Sequence, residues 1–128
     1  EVVRFRDNGT MTDFTFVYEK DGVAYYPDEL HVKVCRTRGV VTAMDATKYI
    51  RNHKERIAPQ VKISLEEAQS RLHDKLTVEA SRLAVVRTQR GERAAYEFLC
   101  AYGEEDYFVY VDGVTGEEIA IVNAKGIA

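Results

Sequence analysis

One pattern of strands and turns occurs twice in this chain, and that repetition limits the possible folds more than any other feature. Residues 32–44 (VKVCRTRGVVTAM) and residues 109–121 (VYVDGVTGEEIAI) share two alternating valines, a four-residue connection, a glycine and a returning strand. The strands upstream also correspond, because residues 14–16 (FTF) match residues 96–98 (YEF). A set of elements repeated in the same order predicts that one structural unit occurs twice.

Residues 112–118 (DGVTGEE) pose a separate question, because carboxylates, a hydroxyl and two glycines stand close together. They could hold a ligand, or they could only reverse the chain between two strands. Gly39 and Gly116 occupy the same place in both copies, as a turn that ends in a left-handed residue requires. A Ca²⁺ loop needs about six oxygen ligands over about twelve residues, and this stretch does not supply that pattern. The sequence therefore favours a hairpin turn in which Asp112 binds backbone amides of its own turn.

Short strands dominate the first third of the chain, where apolar residues alternate with polar ones between turn signals. Strands are predicted at residues 2–6, 12–18, 23–26, 30–36 and 40–44. Asp45 then resembles a helix N-cap, and a short, mostly polar helix is predicted at residues 46–54.

The second half begins with a capping box, SLEE at residues 64–67, followed by apolar residues along one helical face. A helix is therefore predicted at residues 65–74. The strands predicted after it lie at residues 83–87, 96–102, 107–111 and 119–122. Their connections are too short for parallel crossovers, so these strands are predicted to form an antiparallel meander.

The predicted fold class is α+β, with tandem units that each pack an antiparallel β-meander against a helix. Residues 1–56 form a strand unit plus the connecting helix, and residues 62–128 form a complete unit. The first unit lacks its own N-terminal helix, so one apolar face of its sheet needs another cover. The helix at residues 46–54, the second unit or residues upstream of Glu1 could supply that cover. We expect the two units to pack together as one bilobed body.

Composition excludes some classes of protein. A net charge of −3 and a pI of about 5.7 do not favour a nucleic-acid partner. No apolar run approaches the roughly 18 residues that a membrane helix needs. Because the chain begins with Glu1 and not Met, we expect it to be an excised or processed fragment. Cys35 and Cys100 are expected to be buried free thiols, with a disulfide as the alternative.

The sequence contains no motif for catalysis and none for a metal or a cofactor. His31, His53 and His73 have no partner at metal-ligand spacing, and we expect all three to be solvated. A nucleophile motif such as GxSxG is absent, and the paired carboxylates are expected to be exposed acids. No catalytic, metal or cofactor-binding residue is therefore predicted.

A basic run in the connection between the units is a first candidate for binding. It contains Arg51, His53, Lys54 and Arg56. A cationic patch could steer an acidic partner or polyanionic cell-wall material. A solvated helix face is the alternative.

Aromatic residues near the C-terminus are a second candidate, because tyrosine combines apolar area with a polar tip. In Tyr107-Phe108-Val109-Tyr110, alternation places Phe108 and Tyr110 on one face of the strand and Val109 on the other. The Phe108 face then needs a cover, either the neighbouring unit or a partner protein. Tyr107, Phe108 and Tyr110 are predicted to bind a partner, together with Arg51, Lys54 and Arg56.

Motifs along nearly the whole chain resemble the PepSY domain family, in particular the tandem PepSY units of spore-germination proteins. They are YYPD at 25–28, VKV at 32–34, SLEEA at 64–68, YEF at 96–98, YGEEDY at 102–107 and DGVTGE at 112–117. The resemblance implies a non-enzymatic, extracytoplasmic protein at the outer face of the inner spore membrane or in the cortex. Its membrane anchor would be a segment absent from this sequence.

The resemblance also implies the partner, a cortex-lytic enzyme resembling SleB, with peptidoglycan as a further candidate. The leading hypothesis is a non-catalytic module that binds this peptidoglycan-hydrolysing enzyme and stabilises or restrains it. A peptidase-inhibitory or propeptide-like role is the alternative, since PepSY domains elsewhere accompany peptidases. A small enzyme or ligand carrier that uses the space between helix and sheet is a third hypothesis.

Overall fold

A computed structural model describes residues 1–125, in which eight strands form one continuous sheet. The strands are β1 (Val2–Asp7), β2 (Met11–Lys20), β3 (Val23–Cys35), β4 (Val40–Asp45), β5 (Thr77–Thr88), β6 (Gly91–Tyr102), β7 (Glu105–Asp112) and β8 (Glu118–Asn123). The helices are α1 (Thr47–Asn52) and α2 (Leu65–Ser70). The protein is therefore mostly β-strand with few helices. None of the helices in the described range is long and apolar enough to cross a membrane.

The sheet places the two halves of the chain side by side. Its strand order is β1-β2-β3-β5-β6-β7-β8, with β4 paired to β3. Strands β5 to β8 pair consecutively and antiparallel, as the sequence predicts for the second half. Strands β3 and β5 pair in parallel, through Ala24 with Ala84 and Tyr25 with Val85. The two halves therefore share a sheet as well as side-chain contacts.

The strands predicted at residues 23–26 and 30–36 are in fact one strand, β3, although a Pro-Asp turn signal separates them. Along β2, Tyr18 pairs with Tyr25 while Val17 pairs with Glu29, so residues 26–28 form a bulge. A proline cannot donate to the hydrogen-bond ladder and is tolerated at a bulge. The sequence signal therefore marks a bulge inside one strand.

Both helices are shorter than predicted. Ser64 caps α2 as expected, because its Oγ accepts a hydrogen bond from the Glu67 amide at 3.1 Å. Helix α2 ends at Ser70, whose hydroxyl donates to the Glu67 carbonyl and competes with the helical pattern. Asp45 is one position from its predicted role: Ala46 is the cap residue of α1, and the Asp45 carboxylate accepts from the Thr47 amide.

The main core lies between α2 and the sheet formed by β6 and β7. Its buried members are Ala68, Tyr96, Phe98, Cys100, Val109 and Val111. Helix α1 has no buried residue. Cys35 and Cys100 are both buried and are not joined in a disulfide, so the expectation of free thiols is confirmed.

The β7–β8 connection is a hairpin turn, as predicted. Gly39 and Gly116 both have positive φ, at 64° and 79°. One oxygen of Asp112 accepts from the amides of Val114 and Thr115, at 2.8 and 3.1 Å. Burial alone would raise the pKa of Asp112, but these amides and the neighbouring Arg93 hold it below its usual range. Asp112 therefore binds the backbone of its own turn, as predicted.

Candidate partner-binding groove

A groove of about 570 Å³ opens on the face of the sheet opposite α2. Strand β7 explains this placement, because its side chains alternate between the two faces. Val109 and Val111 pack in the core beneath α2. Phe108 and Tyr110 point the other way and line the groove, together with Tyr26 from β3.

The floor of the groove is held by one buried carboxylate. Glu97 on β6 is 4% exposed and accepts hydrogen bonds from the hydroxyls of Tyr26 and Tyr110, the latter at 2.8 Å. Arg82 on β5 donates to the other oxygen of Glu97 at 2.7 Å. The floor is therefore fixed by donors from three strands.

The two tyrosines of the floor remain protonated. Burial and the charge of Glu97 raise the pKa of Tyr26 to about 12. Burial, with the Tyr26 hydroxyl and the charge of Glu97 beside it, also raises the pKa of Tyr110. The two rings meet edge to face, with centroids 5.7 Å apart. Tyr26 belongs to the first half of the chain, so the neighbouring unit covers Tyr110, one of the two alternatives for this face.

Basic side chains surround the aromatic floor. They are Arg4, Lys48, Arg51 and Arg87, and the one acid among the lining residues is Glu29. Lys48 lies 3.8 Å from Glu29, and Arg87 donates to the Asn52 side chain at 3.2 Å. Arg4 and Arg51 form no ion pair with any residue in the described part of the chain. The rim therefore carries net positive charge in a protein of net negative charge.

The structure brings together three of the six predicted binding residues, Phe108, Tyr110 and Arg51. Tyr107 pairs with Cys100 and shares the Val109 face, away from the groove. Lys54 is exposed and is not part of the groove lining.

Arg56, the sixth predicted residue, is engaged inside the molecule. Its guanidinium donates to both oxygens of Asp28, at 2.8 and 2.7 Å, and to Glu92 at 2.9 Å. His53 contacts the same Asp28 carboxylate at 2.7 Å. Neither interpretation of the basic run, a binding patch or a solvated face, describes Arg56, whose side chain is largely buried, whereas His53 stays exposed as expected while one ring nitrogen contacts Asp28.

The network around Arg56 contains a buried charge, because the Asp28 side chain is fully buried. Burial by itself would raise the pKa of Asp28, but the bonds from Arg56 and His53 outweigh it and keep the pKa low. The hydrogen bond from Arg56 also lowers the pKa of Glu92. Both carboxylates are therefore ionised near neutral pH.

Sequence reasoning missed Tyr26, Arg4, Lys48 and Arg87 as groove residues. Tyr26 stands in the YYPD motif, where alternation sets it on the face opposite Tyr25. Alternation therefore predicts the face on which Tyr26 lies, but the sequence does not show that its hydroxyl bonds Glu97 on β6. Arg4 and Arg87 come from strands far apart in sequence, which only the strand order brings to one groove.

The chemistry of the groove suits binding. Within residues 1–125, no three His, Cys, Asp or Glu side chains are placed to hold a metal ion. The lining combines protonated tyrosines, aliphatic side chains and guanidinium groups. Such surfaces, with aromatic anchors and arginine, are typical of protein interfaces.

Comparison with known protein families gives two matches that together span most of the chain. Residues 1–59 match the family described as "YpeB sporulation, PepSY1 and PepSY2 domains". Residues 62–122 match the family described as "Peptidase propeptide and YPEB domain".

Curated relatives and a solved structure agree with these families. A sporulation protein YpeB of Halalkalibacterium halodurans is 33% identical over 106 residues, covering 82% of this chain and 24% of the relative. That of Oceanobacillus iheyensis is 29% identical over 114 residues, covering 88% of this chain and 26% of the relative. The chain thus spans about a quarter of these relatives. The Bacillus megaterium YpeB C-terminal domain superimposes with a TM-score of 0.88 at 29% identity, covering 95% of this chain and 55% of that one.

Proposed function

Because this chain carries PepSY domains and is homologous to the sporulation protein YpeB, we propose that it is a non-catalytic interaction module. It binds a cortex-lytic, peptidoglycan-hydrolysing enzyme resembling SleB and stabilises or restrains it. In this proposal the module acts outside the cytoplasm, at the outer face of the inner spore membrane or in the cortex. It is held there by a segment beyond the present sequence.

The observation that carries the proposal is the groove with a fixed aromatic floor and a basic rim. Phe108 offers apolar area on a rigid strand beside the buried Tyr110, and Arg51, which forms no ion pair within the described residues, offers a positive charge at the rim. Residues of these types dominate the binding energy of many protein interfaces. Since Glu97 fixes Tyr110 before any partner arrives, little conformational entropy is lost on binding.

A binding assay with matched charge variants tests the proposal. The purified chain is titrated with the cortex-lytic enzyme of the same organism by isothermal titration calorimetry. Arg51→Glu, at the groove, is expected to weaken binding by about tenfold, because it reverses a rim charge. Lys54→Glu makes the same change at an exposed site outside the groove and should leave the affinity unchanged. Failure of both this chain and a longer extracytoplasmic form to bind would count decisively against the proposal.

A second candidate is a peptidase-inhibitory or propeptide-like module, which the description of the family matching residues 62–122 favours. The chain is added in increasing amounts to a peptidase from the same organism that cleaves a fluorogenic peptide. Inhibition that rises with the concentration of the chain and is lost in Phe108→Ser supports this role. A flat response removes it.

A further inference from the structure

The groove is bounded by the two outer strands of the sheet. Val3 and Arg4 come from β1, and Ala120 and Val122 come from β8, yet all four line the same space. In the strand order, β1 and β8 lie at opposite ends. The sheet therefore curls until both of its edges border one groove.

Outer strands leave backbone groups available for pairing. Within the described residues, β1 pairs with β2 alone and β8 pairs with β7 alone, so each has one free side. A free edge of N–H and C=O groups is a template for an added strand. Capture of an extended peptide along such an edge is a recurrent mode of recognition.

We propose that the groove binds an extended acidic peptide segment with apolar side chains at alternate positions. This proposal deepens the function proposed above and rests on it for the source of the segment. In an extended chain, successive side chains point to opposite sides. One set packs on Phe108 and Val122 at the floor, while carboxylates of the other set reach Arg4 and Arg51 at the rim.

The lining favours a peptide over the other polyanions. A nucleic acid needs a broad positive surface, whereas the whole chain carries a net charge of −3. A glycan needs polar donors and acceptors along its length, whereas much of this floor is aliphatic, with Val3, Val86 and Val122. The aliphatic floor suits the apolar side chains of an extended acidic peptide, the basic rim suits its carboxylates, and the free strand edges suit its backbone.

A direct test uses the 128-residue chain and a fluorescein-labelled peptide in which leucine alternates with glutamate. Fluorescence anisotropy should show saturable binding that weakens as salt is raised, because exposed charges are screened. A matched peptide with lysine in place of glutamate should bind at least about tenfold more weakly. A glutamate peptide with alternate backbone amides methylated should also lose binding, since it cannot pair with a strand edge.

Variants locate the site. Arg51→Glu should weaken binding of the glutamate peptide by about tenfold, and Lys54→Glu by less than about twofold. Phe108→Ser should weaken it by about tenfold or more, as loss of an aromatic anchor does. Circular dichroism melting of each variant shows whether it is folded, and Arg51→Glu, at an exposed side chain, keeps the test decisive if Phe108→Ser unfolds.

The proposal is overturned by equal binding of the glutamate and lysine peptides, by no saturable binding, or by equal binding to the Arg51→Glu variant. Displacement of the peptide by soluble peptidoglycan fragments that bind more tightly would assign the groove to a glycan instead. Peptide binding without enzyme binding would refute the proposed function but leave the groove assignment standing. Enzyme binding that is equally strong with the Arg51→Glu variant would refute the groove assignment but leave the proposed function standing.

Discussion

At the scale of single residues, Glu97 does most to fix the groove. A buried carboxylate is costly unless donors occupy its lone pairs. Here the donors are the hydroxyls of Tyr26 and Tyr110 and the guanidinium of Arg82. Tyr26 comes from the first half of the chain and the other two from the second half. One side chain thus orders the groove floor and joins the halves.

Replacement of Glu97 should therefore lower the free energy of unfolding by more than the loss of one side chain's packing would. We expect Glu97→Ala to lower the free energy of unfolding by about 3–5 kcal/mol, because Arg82 and two tyrosine hydroxyls lose their acceptor. Glu97→Gln keeps the shape and one acceptor oxygen and should cost about 1–3 kcal/mol. Urea denaturation of the three proteins measures both values. Equal stability of wild type and Glu97→Ala would show that the network does not stabilise the fold.

Residues whose roles are local could be predicted from sequence, and those with distant partners could not. Asp112 bonds amides two and three positions ahead, and Phe108 follows the alternation of its own strand. The sequence predicts a cationic patch that includes Arg56, because its acceptors Asp28 and Glu92 lie far away in sequence. No spacing rule could relate these three residues.

At the scale of elements, the repeated units differ in what covers them. Phe98 on β6 is fully buried beneath α2, in the same core as Ala68. Phe16 on β2, its counterpart in the repeat, is only half-buried. The same residue type in the same repeat position therefore lies in two environments.

This difference predicts unequal costs for one substitution. Phe98→Ala should lower the free energy of unfolding by about 3–5 kcal/mol, because it removes transfer energy and leaves a cavity. Phe16→Ala should cost about 1–2 kcal/mol, because less area leaves water when it folds. Thermal and urea unfolding at several protein concentrations gives both values. Equal costs at every concentration would mean that Phe16 is as well covered as Phe98.

The connection between the units docks on the last hairpin at Gly113. Its carbonyl accepts from the amides of Lys62 and Ile63, at 2.8 and 3.1 Å. A Cβ at this position would lie 2.6 Å from Cγ1 of Val61. The sequence predicts only a turn residue at Gly113, because the segment that approaches it is about fifty positions away.

Gly113→Ala should consequently destabilise the protein by about 1–3 kcal/mol through overpacking. Val61→Ala removes the atom that would clash, so the double variant should lose less than the sum of the two single changes. Urea denaturation of the four proteins completes the cycle. Strict additivity would show that Val61 and Gly113 do not meet.

At the scale of the whole molecule, further contacts join the halves in addition to the Glu97 network, and two of them lie outside the groove floor. One is the short parallel pairing of Ala24 with Ala84 and Tyr25 with Val85. The other is Arg56, which binds Asp28 on β3 and Glu92 on β6. The sequence predicted a repeated unit and close packing, since repeats and apolar faces are local patterns. The sequence does not predict the parallel pairing, because a strand pattern does not show that two strands about sixty residues apart lie side by side.

The Arg56 network makes the stability of the whole molecule depend on pH. The pKa values of Asp28 and Glu92 are depressed in the folded state, so the unfolded state binds more protons as pH falls. Their stabilisation is fully present above the ordinary carboxylate range of about 4 to 5 and is lost as pH falls through the depressed values. The free energy of unfolding should therefore decline from about pH 5 downward.

Arg56→Met separates this network from the other carboxylates. It leaves Asp28 buried with His53 alone and should cost about 3 kcal/mol at pH 7. Because both pKa values then rise towards or above their ordinary range, stability should fall less between pH 7 and pH 4 in this variant than in the wild type. Lys75→Met, at an exposed site that contributes to neither pKa, should keep the wild-type profile. Urea denaturation along a pH series gives the profiles, and parallel curves for wild type and Arg56→Met would mean that Arg56 does not hold the two carboxylates ionised.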